Sequence, residues 1–284
     1  MILTSYQCLL YGSEDNPESA ERIKMVIQEL RRSKFKIKST KRLASEEEIL
    51  QAHSKSYLDK LKNGTFENLS CPAYPRIFYF ASLSAGIAIE SISVAESENV
   101  FSLIRPPGHH AEKDKAMGFC YLNNAAIAAH YALSHGFQRV AILDLDNHYG
   151  NGTQQIVSGL ERIIHVDLHK FPDYPESPRI KSNNCINFSL PGNISERNYL
   201  KTLEIALAEI HNFVPSILIV SMGFDTFRED PIGNLGLEIV SYFTIGQMIK
   251  ELKVPVSSLL EGGYNTSSLP FCVLAYLNGI DSFI

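Results

Sequence analysis

Five short apolar runs in this chain each break off onto a polar motif, and that recurrence restricts the folds open to it. Ile104 leads into Arg105-Pro-Pro-Gly-His-His-Ala111, Leu143 into Asp144-Leu-Asp-Asn-His148, and Val166 into Asp167-Leu-His169. Ser221 leads into Gly223-Phe-Asp225, and Leu260 into Glu261-Gly-Gly-Tyr264. Apolar runs without polar alternation suit strands buried on both faces, as in a parallel sheet covered by helices. The pattern predicts strands over 100–104, 140–143, 163–166, 186–190, 217–221 and 254–260, after a first strand within 2–10. Motifs at the carboxyl ends of parallel strands gather along one rim, where open α/β sheets bind ligands.

Helical patterns fill the intervals. Asn16-Pro17-Glu18 reads as a cap, a proline at the first helical position and an acid in the first turn, ahead of Ile23, Val26, Ile27 and Leu30. Ser45-Glu-Glu-Glu48 is a capping box, with His53, Ser54 and Tyr57 just beyond it. Residues 64–75 are loop-like, and further helices are predicted over 77–94, 123–135, 153–160, 197–213, 237–252 and 269–280. No repeat, low-complexity tract or linker divides the chain, so a single α/β domain over 1–284 is expected.

Charge and cysteine usage narrow the partners. A net charge of -5 gives no electrostatic reason to expect nucleic acid. The five cysteines are scattered without a C-x-x-C pair, which suits reduced thiols rather than a zinc knuckle. The first residues lack a secretory pattern, and no apolar run is read as reaching the roughly 20 residues of a membrane span. The expectation is a soluble, cytoplasmic protein with no membrane partner.

The rim motifs then carry the chemistry. Asp146 and His148 project to one side of an extended segment, and with Asp225 they make two carboxylates and one imidazole. Three protein ligands leave a coordination position open, as in a catalytic metal site. Zinc or ferrous iron suits this donor set, and manganese is compatible with it. Against that stand the simpler roles of Asp144 and Asp146 as helix caps and Asp225 as a turn residue. His109 and His110 are held on a stiff Pro-Pro-Gly turn, with Asp144 a candidate partner for one ring and Asn151 for the other. Unequal partners push two histidine pKa values apart, as a site needing both base and acid requires. Tyr264, after two glycines, is placed to donate to an oxyanion, unless it is a core tyrosine.

Taken together, these motifs resemble the histone deacetylase and acetylpolyamine amidohydrolase family. The resemblance rests on Arg105-Pro-Pro-Gly-His-His-Ala-Glu112, Gly118-Phe-Cys-Tyr-Leu-Asn-Asn-Ala-Ala126, Asp144-Leu-Asp-Asn-His-Tyr-Gly-Asn-Gly152, Gly223-Phe-Asp225 with Asp230-Pro231, and Glu261-Gly-Gly-Tyr264. Asn16-Pro-Glu-Ser-Ala-Glu-Arg22 and His53-Ser-Lys-Ser-Tyr57 are similar to its amino-terminal signatures. The resemblance implies an arginase-like fold, a mostly parallel sheet of about eight strands with helices on both faces. It implies a zinc-dependent hydrolase acting on an acetylated amine, either protein lysine or a small molecule such as an acetylpolyamine. By position Asp146, His148 and Asp225 hold the metal, His109 and His110 are the acid/base pair, Asp144 and Asn151 orient them, and Tyr264 polarises the acetyl carbonyl. Gly118 and Phe119 line the substrate tunnel. A potassium site is implied from Asp144, Asp146, His148, Asp167 and Leu168.

Departures from the family pattern matter too. Asn151 is typical of the class II-like and bacterial branches, and Asp167 stands where serine is usual. Phe171-Pro-Asp-Tyr-Pro-Glu-Ser-Pro178 replaces a glycine-rich turn, making Tyr174 the candidate for a second tunnel wall. Ser70 falls where some protein deacetylases carry a rim aspartate, and Ile232 where a polyamine-selective branch places a glutamate. Two other functions fit parts of the pattern: an arginase-like ureohydrolase with paired manganese, and a non-catalytic acyl-lysine binder. The first asks for more carboxylates than Asn151 and a lone Asp225 leave, and the second does not explain the retained histidines and Tyr264.

Overall fold

The computed structural model describes residues 1–13, 15–66, 68–176 and 182–281. Among the described residues eight strands form one sheet: β1 (Ile2–Thr4), β2 (Ile37–Ser39), β3 (Val100–Leu103), β4 (Val140–Asp144), β5 (Ile163–Lys170), β6 (Cys185–Leu190), β7 (Ile217–Met222) and β8 (Val256–Leu260). Their order is β2-β1-β3-β8-β7-β4-β5-β6, and every neighbouring pair is parallel. The strands carrying the five rim motifs are therefore five consecutive neighbours, β3-β8-β7-β4-β5.

Alternation along the strands feeds two separate cores. Ala141 and Leu143 of β4 face the layer of α1 (Ala20–Leu30), α7 (Glu196–Phe213), α8 (Ile239–Lys250) and α9 (Leu269–Ile280). Val140 and Ile142 face the layer of α3 (Lys55–Asn63), α4 (Ile77–Ala95), α5 (Asn124–Ser134) and α6 (Asn151–Val157), beyond the short α2 (Glu46–Ile49). Burial on both faces is why these strands read as unbroken apolar runs. Ser45 closes its capping box with Glu48, Ser54 caps α3 through Tyr57 N, and Asn123 caps α5 through Ala126 N.

Several boundaries differ from the sequence reading. The first strand stops at Thr4, and a 3-10 turn over Tyr6–Leu9 occupies the rest of 2–10. α1 starts at Ala20 with Ser19 as its cap, not at Asn16-Pro17. Tertiary pairing overrides the local signal: Glu18 is buried, with its carboxylate 2.7 Å from Arg105 and 3.3 Å from Arg22. β2 was not foreseen, because Ile37-Lys-Ser39 is short and half exposed. β5 runs on to Lys170, so Asp167 and His169 lie inside the strand. α6 opens at Asn151, two residues before the reading. α4, 19 residues long, is apolar enough to cross a membrane, which corrects the expectation that no run approaches that length. It is mostly buried between α5 and the sheet, as a core helix. The segment Phe171–Pro178 is described only as far as Glu176.

Candidate active site at the carboxyl rim of the sheet

Asp146 and His148 leave β4 in a tight turn, and Asp225 leaves the adjacent β7. All three are buried, with one ligand atom from each within 4.8 Å of the others. His148 Nδ1 lies 3.0 Å from Asp146 Oδ1 and 3.0 Å from Asp225 Oδ2. Asn147 N donates to Asp225 Oδ1 at 2.9 Å, joining the two turns, and Gly262 N donates to Asp146 Oδ2 at 2.8 Å. A Cβ at position 262 would stand 2.4 Å from Asp225 Oδ2 and 2.6 Å from Asp146 Oδ2, so only glycine passes there. The set fits a divalent cation. One imidazole nitrogen faces two buried carboxylates, and among the described residues Asp225 Oδ2 receives no aligned hydrogen bond.

The electrostatics match that crowding. Burial opposes ionisation of Asp146, but His109 and His148 overcome it and hold the carboxyl below its usual range. Burial pushes Asp225 up to about 7, reinforced by the neighbouring Asp146. Burial disfavours charge on His148, yet the close carboxylates of Asp146 and Asp225 raise it to about 10.

The histidine pair lies beside this cluster, with ring centroids 4.0 Å apart. Glu261 Oε2, at the end of β8, accepts from Gly108 N at 2.7 Å and His109 N at 3.2 Å and so fixes the turn. His109 Nδ1 meets Asp144 Oδ2 at 3.1 Å, and its Nε2 lies 3.7 Å from Asp146 Oδ1. His110 Nδ1 meets Asn151 Oδ1 at 2.9 Å. The Asn151 amide is oriented by its own donation to Glu112 Oε1 at 2.8 Å. His110 therefore carries its proton on Nδ1 and keeps a lone pair on Nε2. Burial works against charge on both rings. On His109 the carboxylates of Asp146 and Asp144 win and raise its pKa well above the ordinary value. On His110 burial is joined by repulsion from His109 and His148, and its pKa falls well below.

Tyr264 is positioned by residues from three elements. Asp230 Oδ2 accepts from Tyr264 N at 2.6 Å and Asn265 N at 3.1 Å, while its Oδ1 accepts from Ile232 N at 2.9 Å and Gly233 N at 3.0 Å. Arg22 of α1 donates to Gly263 O at 2.6 Å and Glu261 O at 2.5 Å, and its guanidinium lies 4.9 Å from the Tyr264 ring centre. The Tyr264 ring meets Phe119 edge-on at 5.9 Å, and Tyr174 meets His110 edge-on at 5.1 Å. Burial pushes the Tyr264 phenol well above its usual pKa, against the pull of Arg22. Gly118 has φ +56°, and a Cβ there would come 2.2 Å from His110 Cδ2, so the backbone lies flat on that ring. Ser70 supports the Gly118 turn: its Oγ accepts from Gly118 N at 2.9 Å and donates to Asn68 Oδ1 at 2.6 Å. Ile232 sits in the turn that Asp230 closes.

Of the residues named for potassium, Asp144 and Asp167 stand opposite each other in register on β4 and β5. Gly150 N donates to Asp167 Oδ2 at 2.9 Å, whereas the Leu168 side chain joins the opposite core. Sequence reasoning missed the supporting roles of Arg22, Glu261 and Asp230, whose partners are distant in the chain. It also missed His165, two residues before Asp167 on the same strand face, which joins Asp144 and Asp167 in a buried cluster. Alternation along β5 was the signal for that one.

Comparison with known proteins agrees with this geometry. A histone deacetylase domain model matches residues 16–280. Histone deacetylase-like amidohydrolase from Pseudomonas aeruginosa is 31% identical over 300 aligned positions, covering 96% of this chain and 79% of its own. Acetylpolyamine amidohydrolase from Burkholderia pseudomallei is 34% identical over 222 positions, covering 74% of this chain and 65% of its own. The crystal structure of an acetylpolyamine aminohydrolase from Burkholderia pseudomallei superposes with a TM-score of 0.90 at 26% identity, covering 99% of each chain. With the parallel sheet, its rim and a matching model over nearly the whole length, the chain belongs to the histone deacetylase family and is a hydrolytic deacetylase.

Proposed function

We propose that this protein hydrolyses the amide of an acetylated alkylamine at the rim site, with zinc or ferrous iron held by Asp146, His148 and Asp225. When bound, such an ion supplies Lewis acidity toward the carbonyl oxygen and lowers the pKa of water. The remaining chemistry belongs to the chain. His110, neutral and with Nε2 free, takes the proton from the attacking water. The imidazolium so formed is a strong acid in its buried position beside His109 and His148, and it gives that proton to the nitrogen as the C–N bond breaks. His109, charged between Asp144 and Asp146, keeps positive potential beside the oxygen that gains negative charge. Tyr264, its phenol kept protonated by burial, donates a hydrogen bond to that oxygen. Phe119 and Tyr174 flank the path of the alkyl chain.

The observation that carries this reading is the unequal pairing of the two histidines beside a three-ligand cluster. A small acetylated amine, such as an acetylpolyamine, is favoured over a peptide because the Ser70 hydroxyl is occupied by Gly118 and Asn68 rather than offered at the rim. The relatives carry both kinds of name, acetylpolyamine amidohydrolase and histone deacetylase-like amidohydrolase, so the preference rests on Ser70. The test is turnover of acetylated polyamines, acetyl-lysine peptides and longer acyl-lysines, with and without chelator. Tyr264→Phe is expected to lose about 10²–10³ in kcat, and His110→Ala to lose most activity, both without a change in Tm. Wild-type rates in both variants would sink the mechanism.

A further inference from the structure

The two walls of the tunnel are fastened by different means. Phe119 stands on a turn held by Ser70, whose Oγ accepts from Gly118 N and whose carbonyl oxygen accepts from Phe119 N at 3.2 Å. Tyr174 stands on the segment that follows β5, edge-on to His110 and with its ring centre 6.3 Å from that of His148. Burial pushes its phenol up to about 12 while the Ser70 hydroxyl pulls the other way, so the ring reaches from the histidines toward the opposite wall. The same segment borders a cavity of about 700 Å³, lined by Tyr149, His169 and residues 170–176. Among the described residues none of Phe119, Tyr264, His109 and His110 lines that cavity, so it lies on the far side of Tyr174 from the tunnel. Packing on that side therefore does not press Tyr174 inward.

Polar contacts of Asp173 take that part instead. Its Oδ1 accepts from Tyr174 N at 2.7 Å, and its Oδ2 lies 3.0 Å from Lys170 Nζ and 3.5 Å from Asn147 Nδ2. Asn147 stands between the candidate ligands Asp146 and His148; its N donates to Asp225 Oδ1, and its carbonyl oxygen accepts from Lys170 N at 2.9 Å. One carboxylate thus joins the aromatic wall to the turn that carries two of the three ligands. We propose that Asp173 is a positioning residue, which holds Tyr174 against His110 and so sets the fit of the amine's alkyl chain in the tunnel. The effect on turnover rests on the reaction proposed for the rim site, whereas the placement of Tyr174 does not. A wall contact made equally in the ground and transition states acts on KM rather than on kcat. Losing contact with one or two methylenes weakens binding by about tenfold.

The chain holds no tryptophan, so Tyr174→Trp places a single indole on the wall. Adding Asp173→Ala is expected to shift its emission to longer wavelength and to raise its Stern–Volmer constant with acrylamide about twofold, as the wall swings outward. Unchanged emission and quenching overturn the inference, whether or not the protein turns anything over. In the metal-loaded enzyme with Tyr174 intact, Asp173→Ala is expected to raise KM about tenfold, with kcat within about threefold. The substrate is N-acetylputrescine or acetyl-lysine amide, whichever reacts faster. Asp173→Asn keeps an acceptor for Tyr174 N and is expected to hold KM within about threefold of the wild type. On a Tyr174→Ala background, Asp173→Ala is expected to leave KM within about twofold. KM shifts that add across the two positions overturn the inference, because Asp173 then acts by another route. A KM of wild-type size in Asp173→Ala overturns it as well. Failure of every acetylated amine to react defeats the reaction proposed for the rim site, and the indole then decides alone whether Asp173 holds the wall.

Discussion

Asn151→Asp exchanges an amide for a carboxylate at the atom that steers His110, and the consequences follow from its two contacts. Asn151 Oδ1 faces His110 Nδ1 at 2.9 Å, while Nδ2 donates to Glu112 Oε1 at 2.8 Å. The new carboxylate keeps the first contact, loses the second and meets the Glu112 carboxylate instead. A donated bond to a charged group contributes about 1.5–3 kcal/mol. Two like charges near 4 Å repel by about 4 kcal/mol at an effective dielectric of 20. Glu112 is partly exposed, so much of that repulsion is screened. The expected net loss of stability is about 2 kcal/mol at pH 7.5, measured by denaturant unfolding.

Glu112→Gln on the Asn151→Asp background restores an N–H donor and removes the like charge, and it is expected to recover most of the loss. The same pair of variants reads out on His110. A carboxylate partner raises a nearby histidine pKa by about 1–3 units. His110 starts well below its ordinary value and must be unprotonated to act as base. Raising its pKa therefore moves the acid limb of kcat/KM to higher pH and lowers the rate most at acidic pH. Asn151→Asp with unchanged stability, or no recovery on adding Glu112→Gln, refutes the view that Glu112 fixes the amide at position 151.

Asp230→Ala removes the acceptor of four backbone N–H groups, including that of Tyr264. It is expected to cost about 3 kcal/mol and to lower kcat more than KM; a kcat within twofold of wild type shows that Tyr264 is held by other means. His53 is buried, with Nδ1 at 3.0 Å from Glu112 O and Nε2 accepting from Asn123 N at 2.9 Å. Burial lowers its pKa to about 4. The folded-state value lies below the unfolded one, so the unfolded chain binds the proton first as the pH falls. Stability is then expected to be complete above pH 6.5 and to fall by about 3 kcal/mol down to pH 4. His53→Gln should flatten that limb, and parallel acid limbs in the two proteins would count against the assignment.

What could be read from the sequence was what is local. The motifs follow strand ends, and a strand end is marked by where an apolar run stops, so the gathering of Asp146, His148, Asp225 and the histidine pair on one rim was legible without contacts. The boundaries that failed were those where local and distant interactions compete. Asn16 Oδ1 accepts from Glu18 N in a turn ahead of the helix, and α1 starts only after Ser19, whose side chain makes no cap bond, with Glu18 buried against Arg105 and Arg22. Arg22 itself, 241 positions from Gly263 in the chain, leaves no local trace of the bond that holds the Tyr264 loop.

His165 falls between these cases. Its burial and its side of β5 were legible from alternation, because Ile163, His165 and Asp167 must share a face once Val166 and Leu168 take the other. What the sequence withheld was register. Only the in-register pairing of β4 with β5 sets Asp144 beside Asp167, with His165 one step below. A slip of one residue would turn every side chain of β5 to the opposite face and put both polar residues into the apolar layer beneath α7. The cost of that slip makes this polar cluster and the two cores on either side of the sheet enforce the same register.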